Sequence, residues 1–191
     1  GHGHADKLHV DLVIHGEDVL VDSGRYTYVD CDERYRLKEA EAHNVTLVDG
    51  RGFSECTDSW TYRNLCTCAK QQFFDGKKAA FVEGTHFGFW VRDVIVNRKI
   101  VWIKPDIYII VDRFLAHWEH TYDSLLHFSG HGSAELLENG MIRFTGDEME
   151  AYIQFLGAEE EGRIEETEQS SFYNEKHPNQ TYIGRLQGTE N

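Results

Sequence analysis

The first residues that could do chemistry stand at the start of the chain, which begins GHGHADKLHV. His2 and His4 are separated by one glycine, and they are either the remnant of an expression tag or a pair of site residues. In the second interpretation, Gly1 and Gly3 give the backbone the freedom to present both imidazoles.

A carboxylate and a third imidazole follow, at Asp22 in LVDSG and at His43 in AHN. Imidazole nitrogens and carboxylate oxygens are good ligands for Zn²⁺, and three protein ligands leave a fourth position open for water or substrate. His4, Asp22 and His43 are therefore a candidate zinc site. The alternative is that they are ordinary surface or hydrogen-bonded core residues, as isolated histidines usually are.

The strand pattern of the same region opposes this site. Apolar residues alternate over 8–14, which predicts a strand, and VLVD at 19–22 returns from a turn to complete a hairpin. This pairing places Asp22 beside the middle of the first strand and His4 roughly 23 Å away. A metal site at His4 therefore requires residues 1–6 to leave the strand and fold back.

The elements that must position these residues are mostly short strands, rich in β-branched and aromatic residues. They are NVTLVDG, AAFVEG, FGFWVRDVIVNRKIVWI, IYIIVDRF, YDSLLHFSG, AELL, MIRFTG and EAYIQFLG. Turns are predicted at KPD (104–106) and ENG (138–140), and one helix is predicted over 31–43. Short strands with frequent turns favour an all-β domain, and we predict one two-layered antiparallel β-sandwich over residues 1–191.

Composition argues against two classes of partner. The 191 residues contain 33 acidic and 19 basic side chains, a formal charge of -14, whereas proteins that bind nucleic acid carry a basic footprint. No apolar run is as long as a membrane span, so no membrane partner is predicted. Because the chain begins at a strand without a charged leader, we expect it to be the C-terminal domain of a longer protein.

The cysteines and the acidic residues suggest no chemistry. Cys31, Cys56, Cys66 and Cys68 lack the spacing of a zinc knuckle and are too few for a disulfide scaffold. They are ordinary thiols, or two of them form one bridge. The glutamates and aspartates between 147 and 168 are typical of a solvated surface.

Four stretches form an ordered series: GHGHADKLHVDLVIHGEDVLVDSGRYTY, AHNVTLVDG, HFGF and VWIKPDIYIIVDRF. This series resembles the C-terminal domain of the heparinase II/III-type polysaccharide lyases, from residue 1 to about residue 130. The resemblance implies a β-sandwich that follows a helical toroid domain absent from this chain, with the substrate cleft between the two. It also favours site residues over a tag, since the family carries His-x-His at this place.

The activity implied by the resemblance is β-elimination of polysaccharides that contain uronic acids. A base removes the proton next to the uronate carboxylate, a cation or hydrogen-bond donor neutralises that carboxylate, and an acid protonates the leaving oxygen. By this resemblance His4, Asp22 and His43 fall on metal ligands, usually of zinc. His2 falls on a cleft histidine and Tyr26 on a cleft tyrosine, and these two are the predicted catalytic residues.

Substrate contacts are predicted at Arg25 and His86. Arg25, with the segment ERYRLK at 33–38, could form a basic patch that offsets the negative charge of the chain for an acidic glycan. His86 and His127 lie where the family often has histidines. Three tryptophans could form a platform for sugars, although the first two are expected in the core: Trp90, Trp102 and Trp118.

The predicted function is therefore that of the C-terminal domain of a polysaccharide lyase, inactive without its toroid. Its predicted partners are an acidic polysaccharide and its own N-terminal toroid domain, and a homodimer is compatible with them. The resemblance favours a periplasmic or secreted location. The alternative function is a non-catalytic module in which a structural metal holds the loops and the sandwich binds glycan or supports its neighbour.

Overall fold

The computed structural model describes residues 3–69, 71–157 and 162–190, and over these residues the chain is almost entirely β-structure. The strands are β1 (Leu12–Ile14), β2 (Glu17–Leu20), β3 (Thr46–Val48), β4 (Glu55–Cys56), β5 (Tyr62–Arg63), β6 (Gln72–Asp75), β7 (Ala79–His86), β8 (Val94–Ile103), β9 (Ile107–Phe128), β10 (Ser133–Leu136), β11 (Met141–Thr145), β12 (Glu150–Gln154), β13 (Arg163–Gln169) and β14 (His177–Glu190). One α-helix, α1, spans Asp32–Arg36, and two 3₁₀ helices span Ala40–Ala42 and Trp90–Arg92.

The larger sheet has nine strands and is organised around β9, which is 22 residues long. The first half of β9 pairs with β8, and its second half pairs with β14 and β3. The prediction of two separate strands, IYIIVDRF and YDSLLHFSG, is wrong. The residues between them continue the strand, because Ala116 pairs with Val94 and His120 pairs with Gly188.

The smaller sheet consists of β10, β11 and β12. Its first hairpin contains the predicted ENG turn, in which Gly140 adopts a φ of 77° and Leu137 N donates to Met141 O. A buried apolar cluster joins this sheet to the larger one: Val19, Leu20, Phe128, Ala134, Ile142, Phe144 and Tyr182. The predicted all-β sandwich is confirmed.

A second apolar cluster packs the N-terminal segment and the loops against the larger sheet. Its buried members are Ala5, Ala40, Val45, Leu47, Val48, Phe53, Phe89, Val94, Val96, Phe114, Tyr122 and Leu125. Ala5 follows His4 directly and Ala40 precedes His43 by three residues. The segments that carry two of the candidate ligands are therefore anchored in a packed core.

The predicted helix over 31–43 is wrong beyond its first turn. The helix α1 ends at Arg36, and Glu39 is extended, with φ -81° and ψ 165°. The Oε1 atom of Glu39 accepts a hydrogen bond from Cys56 N at 3.0 Å, and the buried Nζ of Lys38 donates to Ser59 O at 3.0 Å. These tertiary contacts override the local helix propensity and turn the chain towards His43.

Two further features bear on the sequence predictions. No helix within the described residues has the length and apolar character needed to cross a lipid bilayer. All four cysteines are free thiols in the structure, which is the simpler of the two states that the sequence allowed.

Candidate functional site

The three predicted ligands, His4, Asp22 and His43, lie together in the structure. One ligand atom of each lies within 4.8 Å of the ligand atoms of the other two. They come from the N-terminal segment, from the residues after β2 and from the end of the first 3₁₀ helix. The separation of roughly 23 Å expected for a straight strand does not occur, because β1 begins only at Leu12 and the residues before it fold back.

The fold-back is centred on Leu8, whose φ of 65° lies in the left-handed region. Its side chain packs over Gly84, where a Cβ would lie 2.6 Å from Leu8 Cδ2. Nη1 of Arg98 donates to the carbonyl oxygens of Leu8 and Asn44, at 2.7 and 2.5 Å. Arg98 is itself held by both carboxylate oxygens of Asp112, each at 2.7 Å. A buried ion pair of the sheet thus fixes the path of the N-terminal segment.

Contacts on either side of His4 hold it in place. Ala5 N donates to Lys38 O at 2.8 Å. The hydroxyl of Tyr62 lies 3.2 Å from Gly3 O and 3.0 Å from Lys38 O. The Nζ of Lys38 is 4.2 Å from the centre of the Tyr62 ring. Lys38 and Tyr62 are therefore positioning residues for His4, a role that the sequence did not indicate.

The carboxylate of Asp22 is oriented by two hydrogen bonds. Its Oδ2 accepts from Nδ1 of His43 at 2.9 Å, and its Oδ1 accepts from Gly24 N at 2.6 Å. Burial by itself raises the pKa of Asp22, but its hydrogen bond and electrostatic interaction with His43, together with the hydrogen bond from Gly24, outweigh burial and lower the pKa to about 2. The group is therefore ionised at neutral pH.

The two imidazoles complete a donor set that fits zinc. Burial, with smaller contributions from His43 and Arg34, lowers the pKa of His4 to about 4, so its ring is neutral at neutral pH. His43 is fully buried, and its Nε2 has no hydrogen-bond partner among the described residues. Nη1 of Arg34 donates to Nε2 of His4 at 3.1 Å, a contact that His4 gives up if it binds a metal through that nitrogen. Two imidazoles and one ionised carboxylate are a common protein environment for zinc.

A third histidine, His9, lies beside these ligands and was missed in the sequence. Its Nδ1 accepts from Asn44 N at 2.9 Å, so its Nε2 carries the proton and donates to Asp11 at 2.9 Å. The same Nε2 is 4.0 Å from Oδ2 of Asp22, and the ring stands nearly perpendicular to that of His43. A signal was available, since His9 is the third histidine within nine residues.

The side chain of Asn44 ties the surrounding segments together. Its Nδ2 donates to Val10 O at 2.7 Å and to Val21 O at 3.1 Å, and its Oδ1 accepts from His127 N at 2.6 Å. Nδ1 of His127 is 2.8 Å from Oγ1 of Thr181. His127 is 4% exposed, so it lies in the core, and this burial lowers its pKa to about 4.

The predicted residues Arg25 and Tyr26 lie on the loop that follows β2, a few residues after Asp22. The other predicted catalytic residue, His2, lies outside the described residues. Tyr26 is half-buried with φ 56°, and Nζ of Lys176 is 5.8 Å from its ring centre. Arg25 is exposed and its Nη1 donates to the hydroxyl of Tyr28 at 2.9 Å. Their roles in catalysis and substrate binding stay predictions.

The predicted substrate-binding residue His86 lies in the core instead of on an open surface. It is 2% exposed, and its ring lies 4.9 Å from that of Phe53 and 5.7 Å from that of Phe89. Its Nδ1 accepts from Gly88 N at 3.1 Å. Burial and the charge of Arg98 lower its pKa to about 4. The structure assigns packing contacts to His86, and its role with substrate stays a prediction.

The segment at 33–38 does not form a continuous basic surface. Arg34 and Lys38 are completely buried, and Arg36 pairs with Glu168 at 3.0 Å. Most of the positive charges expected at this surface are therefore buried or paired with a carboxylate.

Neither of the two tryptophans expected in the core, Trp90 and Trp102, is buried there. Trp90 is 67% exposed and begins a 3₁₀ helix that has no buried residue. Trp102 stacks on Tyr108 with ring centres 5.7 Å apart. Trp118, on β9, is 69% exposed.

A second aspartate–histidine pair lies elsewhere in the domain, at Asp49 and His120. Nδ1 of His120 is 2.9 Å from Oδ2 of Asp49, and Oδ1 of Asp49 accepts from Thr121 N at 3.1 Å. Nη1 of Arg92 lies 3.5 Å from the same Oδ2. This pair provides an internal reference for the candidate metal centre.

Comparison with known families decides the relationship. A family model described as heparinase II/III-like, C-terminal, matches residues 1–190. The chain belongs to this family. Among curated proteins no match was found.

Solved structures of heparinases share the fold of this heparinase II/III-like domain. Heparan sulfate lyase HepC from Pedobacter heparinus superposes with a TM-score of 0.81 and 14% identity, over 97% of this chain and 28% of that one. A heparinase III gene product gives a TM-score of 0.80 and 14% identity, again over 97% and 28%. Another heparinase III gives 0.67 and 13%, with the same coverage. The chain spans less than a third of the length of these structures.

Proposed function

We propose that this chain is the C-terminal domain of a polysaccharide lyase that cleaves uronate-containing glycans by β-elimination. In this proposal it contributes one wall of the substrate cleft and a zinc site, and an N-terminal helical toroid contributes the other wall. Family membership supports the assignment to lyases. The need for a further domain is supported by the coverage of 28% in the longer heparan sulfate lyase.

The observation that carries the proposal is the convergence of His4, Asp22 and His43 from three separate segments. A zinc ion bound there would supply a fixed positive charge and hold the N-terminal segment against the sandwich. His2 is two residues from His4, and residues two apart in extended backbone share a face. Binding of His4 would thus also limit where His2 can be presented.

The residues of this chain can supply part of the chemistry of β-elimination. His2 is proposed to remove the proton next to the uronate carboxylate or to donate a hydrogen bond to that carboxylate, since an imidazole titrates near neutral pH. Arg25 is proposed to bind an acidic group of the glycan by charge-assisted hydrogen bonds, and Tyr26 to line the cleft. The acid that protonates the leaving oxygen is assigned to the toroid.

The metal site is tested by elemental analysis of the untagged chain purified without chelator. About one equivalent of zinc is expected for the wild type. Asp22→Asn should retain less than about a tenth of an equivalent, because it removes a ligand, and even the loss of an outer partner costs about 10- to 100-fold in affinity. Asp49→Asn is the matched control, since it alters the other aspartate–histidine pair, and it should retain the metal.

Two results would contradict the metal site. One is a wild-type chain with less than about a tenth of an equivalent that takes up no zinc on titration. The other is equal metal loss in Asp22→Asn and Asp49→Asn with both variants folded, as judged by circular dichroism. A non-catalytic module predicts the same zinc content but no loss of activity when His2 is replaced in the intact protein.

A further inference from the structure

An aromatic surface with an exposed arginine adjoins the candidate metal centre, and its members come from three distant parts of the chain. We call Arg25, Tyr28, Trp60 and Tyr173 the aromatic–arginine patch. The rings of Tyr28 and Trp60 are stacked, with centres 5.4 Å apart and planes at 16°, and the centres of Tyr28 and Tyr173 are 6.1 Å apart. The guanidinium carbon of Arg25 lies 4.7 Å from the ring centre of Tyr28 and 5.8 Å from that of Tyr173.

Arg34 connects this patch to the candidate ligands. Its guanidinium carbon is 5.3 Å from the ring centre of Tyr28, and its Nη1 is 3.1 Å from Nε2 of His4. Arg34 is completely buried, and its Nε and Nη2 atoms have no hydrogen-bond partner within the described part of the chain. A buried cation with unsatisfied donors creates a positive potential that attracts an anionic ligand to the neighbouring surface.

Hydrogen bonds hold two members of the patch, Trp60 and Tyr173, in position. Oδ1 of Asp58 accepts a hydrogen bond from Trp60 N at 2.7 Å, which fixes the turn that carries the indole. Oγ1 of Thr27 donates to the hydroxyl of Tyr173 at 3.2 Å. Preorganised side chains lose little conformational entropy on binding, so contacts made here translate efficiently into affinity.

The chemistry of the patch matches one class of ligand. Trp60 and Tyr173 are 42% and 46% exposed and Arg25 is exposed, on a chain whose formal charge is -14. Aromatic faces suit the apolar C–H faces of a sugar ring, and arginine binds carboxylates and sulfates through paired hydrogen bonds. An acidic pyranose offers both features in one residue, whereas a neutral sugar offers only the first.

We infer that the aromatic–arginine patch is a binding subsite for an anionic pyranose residue of the glycan. The sugar ring packs on Trp60 and Tyr173, and its carboxylate or sulfate binds Arg25. This inference rests on the proposed function, because the glycan residue bound by the patch is the neighbour of the glycan residue that reaches the candidate metal centre. A polypeptide surface covering the same patch is the competing occupant and would leave oligosaccharide binding insensitive to these residues.

The subsite is tested by calorimetric titration of the 191-residue chain with three hexasaccharides at low salt. A heparin hexasaccharide carries uronate and sulfate, a hyaluronan hexasaccharide carries uronate without sulfate, and cellohexaose is neutral. Trp60→Ala and Arg25→Gln should each weaken binding of the two acidic probes about tenfold, as expected for a central contact of a binding site. Trp118→Ala is the matched control, because it removes an exposed indole outside the patch, and it should bind like the wild type.

Further variants separate binding from folding. Trp60→Phe keeps an aromatic face and should retain most of the affinity that Trp60→Ala loses. Arg25→Gln should also reduce the preference for the acidic probes over cellohexaose, and comparison of heparin with hyaluronan shows whether sulfate or carboxylate is the anion bound. Near-ultraviolet circular dichroism of each variant verifies that the fold is intact.

Three outcomes overturn the subsite: no measurable binding of either acidic probe by the wild type, equal affinity in Trp60→Ala and wild type, or equal weakening in Trp118→Ala. The failure of the proposed metal site is a separate result, since zinc content does not depend on the patch. If the chain binds zinc but Trp60→Ala binds the acidic probes as the wild type does, the metal site is supported and the subsite is rejected. If the chain binds no zinc but Trp60→Ala weakens binding of the acidic probes, the metal site is rejected and the subsite is supported.

Discussion

Two aspartate–histidine pairs in this domain have nearly the same local geometry, yet only one is part of a candidate metal centre. In both, histidine Nδ1 lies 2.9 Å from an aspartate Oδ2: His43 with Asp22, and His120 with Asp49. In both, the other carboxylate oxygen accepts a backbone N–H, and hydrogen bonds lower the pKa of the aspartate despite burial that raises it. Both histidines have a buried Nε2 without a partner among the described residues.

The two pairs differ in the side chain that lies near the aspartate in addition to its histidine partner. Asp22 has a neutral imidazole, His4, within reach of a common ion, and the described side chains that pair with its carboxylate are His43 at 2.9 Å and His9 at 4.0 Å. Asp49 has the guanidinium of Arg92 at 3.5 Å, which already balances its charge. An aspartate–histidine hydrogen bond is therefore a weak signal for a metal. The additional imidazole of His4 makes it specific, and the nearest arginine of the candidate metal centre, Arg34, contacts His4, whereas Arg92 contacts the carboxylate of Asp49.

The largest effect that would test this comparison is on lyase activity of the intact protein. His2→Ala should lower kcat/KM by about 10² to 10⁴ with zinc retained, as expected for loss of a positioned acid or base. His4→Ala should lose both activity and zinc, whereas His120→Ala should keep both. Release of unsaturated uronate, followed by its absorbance, and zinc content are measured on the same preparations.

Other combinations of these results would change the assignment. If His2→Ala also removes the zinc, His2 is a ligand and Tyr26 becomes the next candidate for catalysis. Wild-type rates in both His2→Ala and His4→Ala would reject the catalytic role of the N-terminal segment. The proposed function assigns the acid for the leaving oxygen to the toroid, so the 191-residue chain alone should release no product. Turnover by this chain would show that the catalytic groups are misassigned.

The next effect concerns His86, a buried histidine whose ring forms no hydrogen bond with an aspartate among the described residues and should respond to pH through burial and the charge of Arg98. Its pKa is about 4 in the folded state, against 6.5 for the ordinary group. The stability contributed by neutral His86 is complete above pH 6.5 and falls as pH decreases towards 4, since the unfolded chain takes up the proton first. The loss for this one group is about 3 kcal/mol.

Urea unfolding between pH 7.5 and 4.5 measures this dependence. His86→Gln should flatten the curve between pH 6.5 and 4.5, whatever its effect on absolute stability. His117→Gln is the control, because the side chain of His117 is 83% exposed, and it should leave the slope unchanged. An unchanged slope in His86→Gln would show that other groups cause the acid sensitivity.

The smallest effect is expected from Arg92→Gln, which removes the cation from the second pair. The salt bridge of Arg92 with Asp49 is partly exposed, so the free energy of unfolding should change by less than about 1 kcal/mol. The variant should bind no zinc, because no third donor replaces the guanidinium. Uptake of zinc in a titration of Arg92→Gln would mean that Arg92 alone prevents metal binding at the Asp49–His120 pair, and that a third protein ligand is not required.

The sequence predicted the parts of this domain that depend on local pattern. Alternation and turn residues gave the sandwich and the ENG hairpin, and the ordered series of motifs gave His4, Asp22 and His43. It did not predict the fold-back at Leu8, because this depends on a glycine in β7 and on Arg98 in β8. Nor did it predict the early end of α1, which follows from burial of Lys38.

The aromatic–arginine patch could not be found by spacing either. Tyr28, Trp60 and Tyr173 are separated by more than a hundred residues in total, and each lies in a region without periodic pattern. Only the tertiary structure brings the three rings together, with the centre of Tyr28 5.4 Å from that of Trp60 and 6.1 Å from that of Tyr173. Sites assembled from loops of distant segments leave no local signature in one sequence.

The pairing of β14 with β9 has a consequence for how the chain acquires its structure during synthesis. Residues 177–190 are the last of the described segments to leave the ribosome, yet they form the ladder along the second half of β9 and also pair with β13. Until they emerge, one edge of β9 offers unpaired backbone groups to other chains. The domain therefore completes its sheet only after almost all of it has been translated, and contacts this distant in sequence make folding slow.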